Sequence, residues 1–211
     1  MKKAVLAFFI GVLCAIFITN YNQSIETALA DSVIRLHVIA NSDREHDQAL
    51  KLKVRDAILK EFGSSLDTYE GIDYSRAEIE KNLEQIEKCA KDVIEKNGYD
   101  YDVKASLGQS DFPTKTYGNV TLPAGSYEAL KVEIGSAQGK NWWCVMFPPL
   151  CFVDGSCVEM PDESEEYLKS SLGDETYEMI TKSDEFPVEF KFKAYEIWQS
   201  GKQAIKRIAK R

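Results

Sequence analysis

The densest run of chemically capable side chains is Arg35, His37, Asn41, Ser42, Asp43, His46 and Asp47. Two histidines and two aspartates are the residue types of a metal site. A histidine near an aspartate is also the pair used for general-base chemistry, with His37 as base and Asp43 as its orienting partner. The same residues serve a plainer purpose. Asn, Ser and Asp side chains accept hydrogen bonds from the backbone N–H groups that a helix leaves unpaired at its start. Asp43 and Asp47 are four apart, so on a helix they share a face and set negative charge near the positive end of its dipole. We read the cluster as a helix cap and a contact surface. Catalysis and metal binding are its rivals.

The rest of the chain offers little to a catalytic reading. It has no Cys-x-x-Cys, and its only two histidines lie in this one cluster. A zinc site is therefore not expected. Ser106 and Ser126 sit in no Gly-x-Ser-x-Gly elbow. There is no glycine-rich phosphate loop, and the acidic residues are too scattered to single out a carboxylate pair. No cofactor, metal or small-molecule substrate is expected.

The elements that must hold the cluster follow from periodicity. Residues 33–40 (VIRLHVIA) read as a strand, with Arg35 and His37 on one face and Ile34, Leu36 and Val38 on the other. Residues 44–62 read as a helix whose stripe is Leu50, Val54, Ala57, Ile58 and Phe62, closed by Gly63. A second helix is predicted to start at Ser75 with a capping box to Glu78 and to stop at Asn97-Gly98. Its buried face holds Ile79, Leu83, Ile86, Ala90, Val93 and Ile94, with Cys89 beside it. The period then changes to two. Strands are predicted over 101–107, more weakly over 114–120, then over 127–134 and 142–147, the last stopped by Pro148-Pro149. Short loops between strands imply antiparallel pairing. Two acidic helices (161–172 and 174–181), a strand (187–193) and a helix (194–209) finish the chain. The fold class is α+β: an N-terminal strand and two helices, then an antiparallel sheet, then a C-terminal strand and helix.

Trp142 and Trp143 open the 142–147 strand, so alternation sends one ring to each sheet face. One belongs to the core. The other covers a helix or forms an exposed aromatic patch of the kind enriched at protein contacts.

The N-terminus reads as an export signal. Lys2 and Lys3 precede an uncharged apolar run over residues 4–18, and Ala28-Leu29-Ala30 offers a cleavage site. A run this long suits a signal peptide better than a membrane-spanning helix, which needs about 20 apolar residues. An uncleaved N-terminal anchor is the alternative. Both send residues 31–211 across the membrane as a single domain. The whole chain carries net charge −8, and residues 31–211 hold 24 Lys and Arg against 33 Asp and Glu. An acidic domain is ill suited to nucleic acid, whose phosphates require a basic footprint. The basic stretch from Lys202 to Arg211 is the local exception, read as a helix end complementing its dipole. Outside the cytoplasm disulfides are permitted. The four cysteines beyond the leader, Cys89, Cys144, Cys151 and Cys157, allow three pairings. Cys144 and Cys151 flank Pro148-Pro149, and a bend there favours their pairing.

Two long strings carry a resemblance. The first runs from Arg35-Leu-His-Val-Ile-Ala-Asn-Ser-Asp43 through Asp47-Gln48 to Leu50-Lys-Leu-Lys-Val-Arg-Asp56. The second runs from Asn119-Val-Thr-Leu-Pro-Ala-Gly-Ser-Tyr127 through Gly139-Lys-Asn-Trp-Trp-Cys-Val-Met-Phe-Pro-Pro-Leu-Cys-Phe-Val-Asp154. Together they resemble the stage II sporulation protein R family of endospore-forming bacteria. The resemblance implies a protein made in the forespore and exported into the space between the forespore and mother-cell membranes. There it would activate a membrane-embedded aspartic protease that processes pro-sigma-E, acting as a ligand and not as an enzyme. The expected contact residues are Arg35, His37, Asn41, Ser42, Asp43, Asp47, Trp142 and Trp143. A rival reading is an extracytoplasmic hydrolase using His37, Asp43 and His46, and another is a membrane-anchored structural component.

Overall fold

The computed structural model describes residues 9, 25–63, 66, 70–150 and 160–181. A helix, α1, is described over residues 25–32. It leads into strand β1 (Ile34–Ile39), followed by helices α2 (Glu45–Phe62), α3 (Ile72–Lys81) and α4 (Leu83–Lys96). Five strands come next: β2 (Val103–Phe112), β3 (Lys115–Tyr117), β4 (Val120–Leu122), β5 (Gly125–Ile134) and β6 (Asn141–Phe147). Helices α5 (Asp162–Leu172) and α6 (Asp174–Thr181) complete the described chain. The fold is α+β, as its sequence pattern implies. The expected leader run, the 187–193 strand and the 194–209 helix lie outside the described residues, Phe9 and residues 25–30 of the leader segment excepted. Among the described residues no helix is long and apolar enough to cross a membrane.

The main sheet has the order β2-β5-β1-β6, and β3 and β4 form a separate hairpin. β2 with β5, and β1 with β6, pair antiparallel. The central pair differs from the sequence expectation: β1 runs parallel to β5, with Arg35 opposite Ala129 and His37 opposite Lys131. The reason lies in the helices. Parallel neighbours need a long crossover, and α2 to α4 provide it between β1 and the strands that follow.

Each sheet face builds its own core. Ile34, Leu36 and Val38 of β1 point to the helices and meet Leu50, Val54 and Ile58 of α2 and Ile86, Ala90 and Ile94 of α4. On the opposite face Val33, Tyr127, Ala129 and Val145 meet Val120 and Leu122 of the hairpin, Leu168 of α5, and Tyr177 and Ile180 of α6. Arg35 and His37 belong to this second face. The molecule is therefore layered: helices, sheet, then hairpin with short helices.

The second predicted helix divides in two. It starts at Ile72, before the expected capping box. Ser75 lies inside the first turn and donates to the Gly71 carbonyl at 3.3 Å. Asn82 then ends α3 and opens α4. Its Nδ2 donates to the Glu78 carbonyl at 2.7 Å, a local bond that competes with helix continuation.

Candidate functional site

The β1–α2 loop is a knot centred on Asp47. This carboxylate is 2 % exposed although it lies in the first turn of α2. Ser42 Oγ donates to it at 2.5 Å and Asn41 Nδ2 at 2.9 Å. Burial acts to raise its pKa, but the bonds from Ser42, Asn41 and Tyr101, with His46 nearby, outweigh it, and the carboxyl titrates below the ordinary aspartate range. The expected N-cap is thus replaced by a reversed arrangement. Arg44 occupies the cap position with no side-chain cap bond, and a helix carboxylate reaches back to hold the loop.

The knot also ties down the β5–β6 loop. Ser136 N–H donates to Asn41 Oδ1 at 2.9 Å, Ser136 Oγ to the Asn41 carbonyl at 2.7 Å, and Lys140 N–H to Asp43 Oδ1 at 2.7 Å. Gly139 N–H donates to the Ala40 carbonyl at 2.9 Å. A Cβ on Gly139 would lie 2.3 Å from the Ser42 carbonyl oxygen, so only glycine fits this approach. Lys51, 4 % exposed, donates to the Lys140 carbonyl at 2.9 Å and to Gln48 Oε1 at 2.7 Å. Burial lowers the Lys51 pKa, with Asp43 opposing that shift.

His37, Asp43 and His46 do not converge. His37 Nε2 pairs with Asn141 Oδ1 at 2.8 Å, and Asp43 accepts from Lys140. His46 stacks on Tyr99 with ring centroids 5.8 Å apart, and its Nε2 lies 3.5 Å from Asp47 Oδ1. Each of the three is committed to a different neighbour, an arrangement that fits loop positioning and not a base with its orienting acid.

Arg35 departs most from expectation. It is fully buried. Its guanidinium lies over the Phe112 ring at 3.9 Å and beside Tyr127 and Tyr117 at 4.8 and 5.8 Å. Nη2 donates to Tyr117 Oη at 2.6 Å and Nε to the Cys144 carbonyl at 3.4 Å. Alternation predicts that Arg35 shares a face with His37. It does not predict the hairpin that covers that face. Burial lowers the Arg35 pKa, opposed by the Tyr117 and Tyr127 phenols.

The two tryptophans take opposite faces, as alternation requires. Trp142 packs on the helix side with its ring 4.1 Å from the Arg55 guanidinium carbon. Trp143 lies on the Arg35 side, stacked on His37 with centroids 6.2 Å apart and with Lys115 Nζ 5.1 Å from its ring. Both are half-buried. Cys89 is a free thiol whose pKa is pushed up to about 12, chiefly by burial. Cys144 is disulfide-bonded, and Cys151 lies outside the described residues. Sequence reasoning did not single out Phe112, Tyr117, Tyr127, Lys51, Arg55 or Asn141 as site residues. Their roles arise from contacts between segments far apart in the chain, for which a single sequence carries no spacing signal.

No solved structure matches this fold. A curated relative, stage II sporulation protein R of Bacillus subtilis (strain 168), is 42% identical over 138 residues, 65% of this chain. The match spans 62% of the length of that relative. The profile of the stage II sporulation protein R family matches residues 30–157, a region that contains β1, the Asp47 knot, the Arg35 cage and both tryptophans. By that match the chain belongs to the stage II sporulation protein R family.

Proposed function

We propose that this protein is an exported signal of endospore formation. It passes from the forespore into the space between the two membranes and activates the mother-cell membrane aspartic protease that processes pro-sigma-E. The observation that carries this reading is the family match over residues 30–157. Membership supports a sporulation role. The route, the compartment and the protease are our extension of it. The leader pattern over residues 2–30 supports export, either with cleavage after Ala30 or as an anchored form. A Cys144–Cys151 disulfide fits the same compartment.

The dispersal of His37, Asp43 and His46 into separate structural contacts favours a ligand over a hydrolase. Contact with the protease is assigned to the exposed rim of the knot, Asp43 to Glu45, together with half-buried Trp143. Arg35, Asn41, Ser42 and Asp47 support that rim from behind. Such a ligand acts only by binding the active arrangement of the protease more tightly than the inactive one.

Reconstitution of the protein with the protease and pro-sigma-E tests the reading. Processing should depend on the added protein and persist in a variant carrying His37→Gln and His46→Ala. Processing that proceeds equally without the protein defeats the proposal. So does turnover of a cell-wall substrate by the purified chain that the two substitutions abolish.

A further inference from the structure

Among the described residues, five buried side-chain nitrogen or oxygen atoms have no hydrogen-bond partner. Three of them lie together on the sheet face away from α2 to α4: Arg35 Nη1, His37 Nδ1 and Trp143 Nε1. Buried polar groups are nearly always satisfied, so adjacent exceptions call for one common explanation. Arg35 and His37 are two apart on β1, and Trp143 stands opposite His37 in the β1–β6 register. Arg35 is fully buried and His37 is 9 % exposed.

Charge sharpens the case. Among the described residues, the Arg35 guanidinium bonds only a phenol and a carbonyl, with no carboxylate against it. Facing aromatic rings attract a cation by about 0.5–2 kcal/mol each. The desolvation cost of one buried ion is several kcal/mol, so the cage offsets it only in part. The charges around the site are Lys131, opposite His37 on β5, Lys115 beside Trp143, and Glu133, which is paired with Lys131 at 3.0 Å. The local balance is positive in a chain whose net charge is −8.

We propose that this face binds a carboxylate. One oxygen accepts from Arg35 Nη1, and the group neutralises a buried guanidinium that has no carboxylate partner among the described residues. Trp143 Nε1 supplies a second donor, and entry is from the half-buried Trp143–Lys115 side. His37 adds a signature. With Nε2 donating to Asn141 Oδ1, neutral Nδ1 is an acceptor and opposes a carboxylate; a protonated ring donates from both nitrogens. Arg35, Lys131 and Lys115 disfavour that proton, Glu133 favours it, and a bound anion adds to the favourable side. Carboxylate binding is therefore accompanied by proton uptake and tightens as pH falls.

The test follows the two indole N–H signals of Trp142 and Trp143 by NMR while the full chain is titrated with sodium acetate, with a capped Gly-Asp-Gly peptide, and with sodium chloride or inorganic phosphate. Acetate or the peptide should move the Trp143 signal saturably and leave Trp142, on the opposite face, in place. Affinity should be higher at pH 5.5 than at pH 7.5. Arg35→Met should weaken it by ~10-fold or more, the scale of a lost charged hydrogen bond. Should Arg35→Met fail to fold, Trp143→Phe keeps the ring, removes the donor, and should weaken binding measured calorimetrically. Preference for acetate points to a free carboxylate metabolite, and preference for the peptide to an acidic side chain of a protein. A Trp143 signal that never saturates, or that chloride or phosphate moves equally, overturns the proposal. So does an affinity unchanged in the folded variants.

Discussion

Asp47 is the residue on which the β1–α2 loop depends. It receives Ser42 and Asn41 while nearly hidden from water, so its loss leaves two donors without their acceptor. Asp47→Asn should destabilise the fold by about 1–3 kcal/mol at pH 7, measured by urea unfolding. Its carboxyl titrates below the ordinary value of 3.8 in the folded chain. The contribution is therefore complete above that pH, is lost as pH falls through the folded value, and the gap between wild type and variant should close in strong acid. His37 acts in a different window. Burial lowers its pKa below 6.5, with Lys131 and Arg35 adding to that and Asn141 and Glu133 opposing it. The folded chain thus prefers the neutral ring. Stability from this group is full above pH 6.5 and declines as pH falls toward the folded value. Thermal melts should show a drop from pH 7.5 to 5.5 that His37→Gln reduces. An equal drop in the variant would assign acid sensitivity elsewhere.

Two glycines test the account of the loops and strands. Gly139→Ala drives a methyl against the Ser42 backbone, which has no free side chain to swing aside, and should cost about 1–3 kcal/mol. Gly108→Ala on β2 meets nothing within 4 Å and should instead stabilise by about 0.5–1 kcal/mol. Denaturation midpoints of the two variants should move in opposite directions. These elements also mark what the sequence made legible. Long periodic segments such as α2, β5 and β6 appear nearly where the pattern puts them, because burial of one face dictates both the pattern and the element. The Asn82 break was not legible, since a polar residue on the exposed side of a stripe leaves the stripe intact. Nor was the parallel β1–β5 pair, because strand direction depends on which distant strand becomes the neighbour. The density of polar side chains at residues 35–47 was legible in the sequence. The internal division of that cluster was not: Arg35 is buried among Phe112, Tyr117 and Tyr127, residues far away in the chain, while Asp47 turns back on Asn41 and Ser42 of its own loop.

At the scale of the whole molecule, the helix-side core and the hairpin-side core share one sheet, and β1 is the strand both depend on. It contributes Ile34, Leu36 and Val38 to one core and Arg35 and His37 to the other face. Yet both its neighbours are among the last strands made: β5 begins at Gly125 and β6 at Asn141. Such long-range closure slows folding relative to locally wired helical proteins. After dilution from urea, helical signal should return ahead of Trp143 burial, in stopped-flow circular dichroism and fluorescence respectively; simultaneous recovery would refute this order. A chain synthesised or threaded N-terminus first therefore carries its central strand unpaired for most of its passage. Its sheet cannot close until the strand ending at Phe147 has emerged.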